Sequence, residues 1–277
     1  MWGHMQTPPP LTDRPALLRN RRRFAVTFLH DAVADEIKER LTEVNRVFTA
    51  PAIVSGLPEF WRELWPDAVI TPDDEVLALH PGAHDLVIHA LSLHWANDPV
   101  GQLVQCRHAL RPDGLLIAVL FGGQTLHELR SALAGAEAQV TGGLSPRVAP
   151  MGEIRDLGAL LQRAGLALPV ADATPLTVSY SDLTALMQDL RGMGEGNALA
   201  TRLRKPTQRA VFTTAENIYR AAFGTPDGRI PARFDLVTLT GWAPAPDQQK
   251  PLRPGSATHR LADALRPNDA PTLRRTD

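Results

Sequence analysis

Between His84 and Arg130 the chain reads HDLVIHALSLHWANDPVGQLVQCRHALRPDGLLIAVLFGGQTLHELR, and this stretch leaves little freedom in the choice of fold. Leu86-Val87-Ile88 is a short apolar run with β-branched residues, as expected of a strand covered on both faces. Asp98-Pro99 offers a helix N-cap followed by proline at the first helical position, where a missing N–H costs nothing. Val100, Leu103, Val104 and Leu110 give that helix an apolar face, and Arg111-Pro112-Asp113-Gly114 is turn chemistry that stops it. Residues 115–120 make a second buried strand. Strand, helix and strand in so short a span form a βαβ unit, and so a parallel sheet. In such sheets ligands bind beyond the carboxyl ends of the strands. That places residues 91–98 and 121–125 on the rim of the expected site.

The flanking sequence extends the same α/β pattern. Leu29, Val33, Ile37 and Leu41 recur every four residues and predict a helix over 24–41. Arg46–Ala50 is the expected first strand, 57–64 a short helix and 68–71 a short strand. Further helices are expected over 125–138, 153–164 and 207–223, with Ser181 capping another. Strands are expected over 176–180 and 234–242. The expected division is an N-terminal arm and helix over 1–42, a main domain over 43–242 with a helical insertion at about 181–223, and a tail over 243–277.

Composition narrows the function class. Lys plus Arg is 29 against 30 for Asp plus Glu, so no basic footprint points to nucleic acid. No apolar run has the length needed to span a bilayer. Cys106 is the only cysteine, so an internal disulfide and a thiolate metal cluster are excluded, and a reducing, cytoplasmic setting is expected. Cys106 itself reads as a small packing residue. The proline-rich residues 1–10 carry no apolar leader. His80, His84, His89 and His94 crowd one region but lack the i, i+4 pairing of a helical metal site, so no metal is expected. The Arg19 and Arg21-Arg22-Arg23 cluster reads as a solvated helix face; the alternative is contact with an acidic partner or substrate tail.

Several of these segments also carry a resemblance. SLHWANDP, RPDG and GGQTLHELR, together with residues 13–23, 156–165, LRGMGEGN at 190–197 and RPGSA at 253–257, resemble class I S-adenosylmethionine (SAM) dependent methyltransferases. More narrowly they resemble the branch that contains the mitochondrial complex I assembly factor of methyltransferase fold. They are more loosely similar to malonyl-carrier-protein methyltransferases. The resemblance implies a three-layer, Rossmann-like methyltransferase fold with a mostly parallel sheet and an antiparallel last strand. It also implies SAM as cofactor and a flexible flap at 192–196 over the site's mouth. Val47 and Leu86 are 39 positions apart, too few for the family's three crossovers, so the first half is expected to be shortened.

A SAM pocket of this kind needs a glycine turn after the first strand, because a residue without Cβ lets the backbone approach the methionine moiety. It needs polar or acidic groups after the following strands for ribose and adenine. Here FTAPAIVSGLPEFW follows, with Gly56 alone in place of a glycine cluster and Pro51 offering no N–H. The resemblance assigns Thr49, Ala50, Ser55 and Gly56 to that turn, Asp73 and Asp74 to the adenine amine, and Leu91, Ser92 and Trp95 to the pocket wall. Asp73 and Asp74 read equally as an acidic solvent loop, Trp95 as a plug at the sheet's edge, and His94 as its satisfied neighbour. If a nucleophile needs a general base, His94 is the nearest candidate.

Three functions stay open: a SAM-dependent methyltransferase acting on a small acid, a carrier-linked acyl group or a protein side chain; a non-methylating, arginine-modifying or chaperone-like assembly factor whose partner is a respiratory-complex subunit; or a pseudoenzyme that has lost SAM binding.

Overall fold

The computed structural model of the protein describes residues 9–248. The RPGSA motif at 253–257, the remainder of the tail and residues 1–8 lie outside the described residues. Six strands form one sheet in the order β2-β1-β3-β4-β6-β5. They are β1 (Pro51–Ser55), β2 (Val69–Pro72), β3 (His84–Ala90), β4 (Leu110–Gly122), β5 (Ala167–Tyr180) and β6 (Ile230–Trp242). β1 pairs in parallel with β2 and β3, and β3 with β4. β6 runs antiparallel to both β4 and β5. This is the expected α/β methyltransferase-type sheet with its antiparallel last strand.

The period of two along the strands divides the core into two faces. Ile53, Leu86, Ile88, Ile117 and Val119 face α2 (Phe28–Val44), α5 (His127–Thr141) and α8 (Arg209–Phe223). Ala52, Val54, Val87, Leu116 and Leu120 face α4 (Pro99–Ala109) and α6 (Ile154–Arg163). Asp98 caps α4 by accepting the Gly101 N–H at 2.8 Å, with Pro99 at the first helical position. Cys106 lies fully inside the second face, and burial pushes its thiol up to about 12. It is an inert packing residue at neutral pH. No helix among the described residues is long and apolar enough to cross a membrane.

The first half is shortened as expected. β1 reaches β2 through the seven-residue helix α3 (Pro58–Leu64), and β2 reaches β3 through residues 73–83 without a helix.

The first strand needs correction. It is Pro51–Ser55, not Arg46–Ala50. Val47 is 85% exposed, while Ala52, Ile53 and Val54 are fully buried. Proline is tolerated as the first residue of a strand, so Pro51 opens β1 instead of obstructing a turn behind it. The arm also divides. Asp13 caps a separate helix, α1 (Arg14–Arg21), and α2 starts only at Phe28. The break is fixed by the Ala25 and Val26 N–H groups, which both donate to the Gly192 carbonyl. Finally, α7 (Leu183–Gly192) is capped by Asp182, not Ser181. The Asp182 carboxylate accepts the Ala185 N–H at 2.8 Å.

Candidate functional site

Strand register sets the site. Ser55 of β1 pairs with Pro72 of β2 on one side and Ala90 of β3 on the other. Gly56, Asp73 and Leu91 therefore leave the sheet side by side at its carboxyl edge. Ser55 is buried and its Oγ accepts the Leu57 N–H at 3.1 Å, which tightens the turn after β1. Leu91 takes a left-handed backbone (φ 43°) at 3% exposure, a conformation that costs a leucine of order 1 kcal/mol.

The crevice between these residues is filled from within the chain. The Arg21 guanidinium lies over Gly56 so closely that a Cβ there would sit 2.0 Å from Arg21 Cζ. Arg21 Nη1 and Nη2 donate to Asp73 Oδ1 and Oδ2 at 2.8 and 2.9 Å. Arg14 Nη2 adds bonds to Asp73 Oδ1 at 2.7 Å and Asp74 Oδ1 at 2.9 Å. Burial pushes the Asp73 carboxyl up, but the two guanidinium groups outweigh it and hold the acid below the usual carboxylate range. A buried carboxylate robbed of such partners costs several kcal/mol, so breaking this pairing is costly unless another donor replaces the guanidinium groups. The SAM donor expected from the resemblance would need the space over Gly56 and the carboxylate of Asp73. Both are occupied by Arg21, so donor and guanidinium exclude one another in this conformation.

Beneath the crevice lies a closed polar network. Gln102 Nε2 donates to the Asp73 and Asp74 carbonyls at 3.2 and 3.1 Å. Its Oε1 therefore faces His89 Nε2 at 2.7 Å, which must donate. His89 Nδ1 is left as the acceptor, 3.5 Å from Ser92 Oγ. Burial keeps the His89 imidazole pKa below its ordinary value, consistent with this neutral tautomer. His89 and Ser92 thus support the loop that carries the acids. Among the described residues no three His, Cys, Asp or Glu side chains are grouped to hold a metal.

Beside the closed crevice an open cavity of about 310 Å³ runs between the end of β4, α5 and α7. His94 and Trp95, from the short helical turn after β3, form one wall. Both bind Glu195: Trp95 Nε1 donates to Oε2 at 2.7 Å, and His94 Nε2 lies 3.2 Å from the same oxygen. Burial would raise the Glu195 carboxyl, but His94, Arg21 and the Trp95 N–H lower it below its usual range. The GGQT segment turns the chain at the opposite wall. Gly123 (φ 53°) leaves room for Asp235, whose carboxylate accepts the Gln124 N–H at 2.8 Å. Thr125 Oγ1 donates to the Gly122 carbonyl at 2.8 Å.

The structure therefore gathers Ser55, Gly56, Asp73, Asp74, Leu91 and Ser92 around one crevice, with His94 and Trp95 on the neighbouring cavity. Thr49 and Ala50 are not among them. Because β1 starts at Pro51, they sit at its amino end, where their N–H groups donate to the Asp85 carboxylate at 2.7 and 2.9 Å. The segment 192–196, expected as a flap, lines the cavity with Glu195 and Gly196 and also holds the arm: the Gly192 carbonyl accepts the Ala25 and Val26 N–H groups, and the Gly196 carbonyl accepts Asn20 Nδ2 at 2.8 Å. The arginine cluster is only partly a solvated face, since Arg19, Arg22 and Arg23 are exposed but Arg21 is buried. Arg14, Arg21, Gln102 and Glu195 are the residues of the candidate site that sequence reasoning missed. Glu195 lay within a recognised motif; nothing distinguished Arg21 from its neighbours.

No family model matches the chain. A zebrafish (Danio rerio) relative, the mitochondrial arginine-hydroxylase NDUFAF5, is 37% identical over 229 residues, covering 82% of this chain and 71% of the relative. The malonyl-[acyl-carrier protein] O-methyltransferase of Laribacter hongkongensis is 35% identical over 188 residues, covering 68% of this chain and 61% of that protein. Among solved structures, a Bacillus halodurans protein assigned as a methyltransferase shares 12% identity with a TM-score of 0.47, covering 75% of this chain and 98% of its own.

Proposed function

We propose, for a chain that belongs to the family of the NDUFAF5 arginine hydroxylases, that it acts as a methyltransferase-fold assembly factor for a respiratory complex, with the cavity beside His94 and Trp95 as its working site. The carrying observation is Arg21, which covers Gly56 and takes both oxygens of Asp73. In that state the chain has a ligand cavity, while Arg21 fills the space over Gly56 and engages the Asp73 carboxylate. Residues 1–42 then form an arm that supplies the plug, 43–242 the methyltransferase-like domain with its helical insertion at about 181–223, and 243–277 a tail. A reducing compartment suits the single cysteine. A cytoplasmic location remains part of this reading, although the NDUFAF5 relatives are named mitochondrial.

A second reading is favoured by what lies under Arg21. A residue without Cβ, a carboxylate and the Ser92 hydroxyl at adjoining strand ends are the groups a SAM site uses, and some relatives are named O-methyltransferases. On this reading the arm withdraws, SAM enters over Ser55, Gly56, Asp73, Asp74, Leu91 and Ser92, and His94 serves as general base at the acceptor cavity.

Calorimetric titration with SAM and S-adenosylhomocysteine separates the two. The first reading expects no saturable heat from the wild type. Saturable micromolar binding by the wild type overturns it. Binding gained by Arg21→Ala identifies an intact donor crevice under the plug, and no binding by either protein identifies one that has been lost.

A further inference from the structure

The charges around the cavity are one-sided. Three arginines reach its wall, and they differ. Arg147 is engaged: its Nη2 donates to Glu137 Oε1 and its Nη1 to Thr207 Oγ1, each at 2.6 Å. Arg23 and Arg191 are exposed, and neither side chain has an ion-pair or hydrogen-bond partner among the described residues. The one carboxylate on the wall, Glu195, is largely buried and already bonded to His94 and Trp95. Much of the remaining lining is hydrocarbon, including Phe121, Leu129, Leu133, Met187, Phe212 and Phe234, with the polar side chains of Asn20, Thr125 and Asn197 beside it.

Such a lining discriminates. A cation meets two like charges at the mouth. A fully polar solute loses its hydration against aromatic and aliphatic walls without recovering hydrogen bonds. A neutral hydrocarbon fills the waist but leaves both guanidinium groups unanswered. A hydrocarbon tail ending in a carboxylate satisfies both regions, since the planar guanidinium fork matches a carboxylate. The volume of about 310 Å³ lies at the small end of the range for ligand pockets, about 300–1,000 Å³, which favours a tail of medium length.

We propose that the cavity binds a carboxylic acid with a medium-length hydrocarbon tail. The tail lies among Phe121, Leu133 and Phe234, and the carboxylate pairs with Arg23 and Arg191 at the mouth. The inference rests on the reading of the cavity as working site and names its ligand class. It concerns a different pocket from the one Arg21 closes.

The test is calorimetry of the full-length protein with three probes of equal tail: decanoate, decanol and decyltrimethylammonium. Decanoate is expected to bind saturably and at least about tenfold tighter than decanol, the effect of one charge-assisted contact of about 1.5–3 kcal/mol. The ammonium probe is expected to bind most weakly. The double exchange Arg23→Gln, Arg191→Gln, on exposed positions that leave the fold intact, should bring decanoate to the decanol level while leaving decanol unchanged. Met187→Trp, which puts a bulkier side chain on the cavity wall, should weaken both. Equal binding of decanoate and decanol, or decanoate affinity indifferent to the arginine exchanges, would overturn the proposal. Because SAM titration reads the other pocket, a failure here is distinguishable from a failure of the closed-crevice reading.

Discussion

Arg21 and Gly56 close the crevice jointly, so exchange of either must be read against the other. Gly56→Ala puts a methyl carbon 2.0 Å from Arg21 Cζ while Asp73 holds that guanidinium in place. The expected cost is about 1–3 kcal/mol, the usual scale of overpacking. In an Arg21→Ala background the three nearest atoms to that methyl are gone, and the exchange should cost under about 0.5 kcal/mol. A urea-denaturation double-mutant cycle measures this coupling, and additive effects would refute the contact. His30 gives a pH prediction. It is buried among Phe24, Phe60 and Trp61, and burial lowers it from 6.5 to about 4. Below pH 6.5 the unfolded chain takes up a proton that the folded chain refuses. Stability should therefore fall with pH by up to about 1.4 kcal/mol per unit until the folded imidazole protonates near 4. His30→Leu should flatten that limb relative to wild type, and parallel limbs would refute it. Ser55, Gly56 and Asp73 were readable as site residues because they end strands. Arg21 was not, since five consecutive positions rich in arginine give no signal for the one that turns inward.

At the scale of elements, local chemistry fixed types well and ends less well. β3 and α4 were readable because the apolar run, Asp98-Pro99 and the apolar helix face all agree. β1 was placed five residues early, because Val47-Phe48 has strand propensity and only tertiary burial selects Ala52–Val54 over it. β5 was expected over its last five residues alone. Its outer part is too exposed to show an apolar alternation, and pairing with β6 extends it to Ala167. The capping of α7 is a sharper case, with two adjacent polar residues able to serve. Asp182→Ala should cost about 1 kcal/mol, whereas Ser181→Ala should stay within about 0.5 kcal/mol. Thermal unfolding of the two single variants decides this, and a larger loss from Ser181→Ala would contradict the observed cap.

For the whole molecule, the shortened first half and the filled crevice have one geometric origin. Ser55 and Pro72 are direct partners, so Gly56 and Asp73 emerge on neighbouring strands. An additional strand between them would move the acid about 4.8 Å away, beyond the reach of a guanidinium that also covers Gly56. Direct pairing of β1 with β2 thus brings the acid to the glycine, and the arm, sewn to residues 192–199, carries the arginine that joins them. Sequence length alone revealed the short first half. Its consequence was not readable, because it depends on how two distant segments meet. The central claim is that Arg21 is sealed inside this crevice, and chemical modification of arginine by phenylglyoxal, mapped by mass spectrometry on the native protein, tests it most directly. Arg22 and Arg23 should be labelled while Arg21 is protected until the protein is unfolded. Labelling of Arg21 at the rate of its two neighbours would contradict the account.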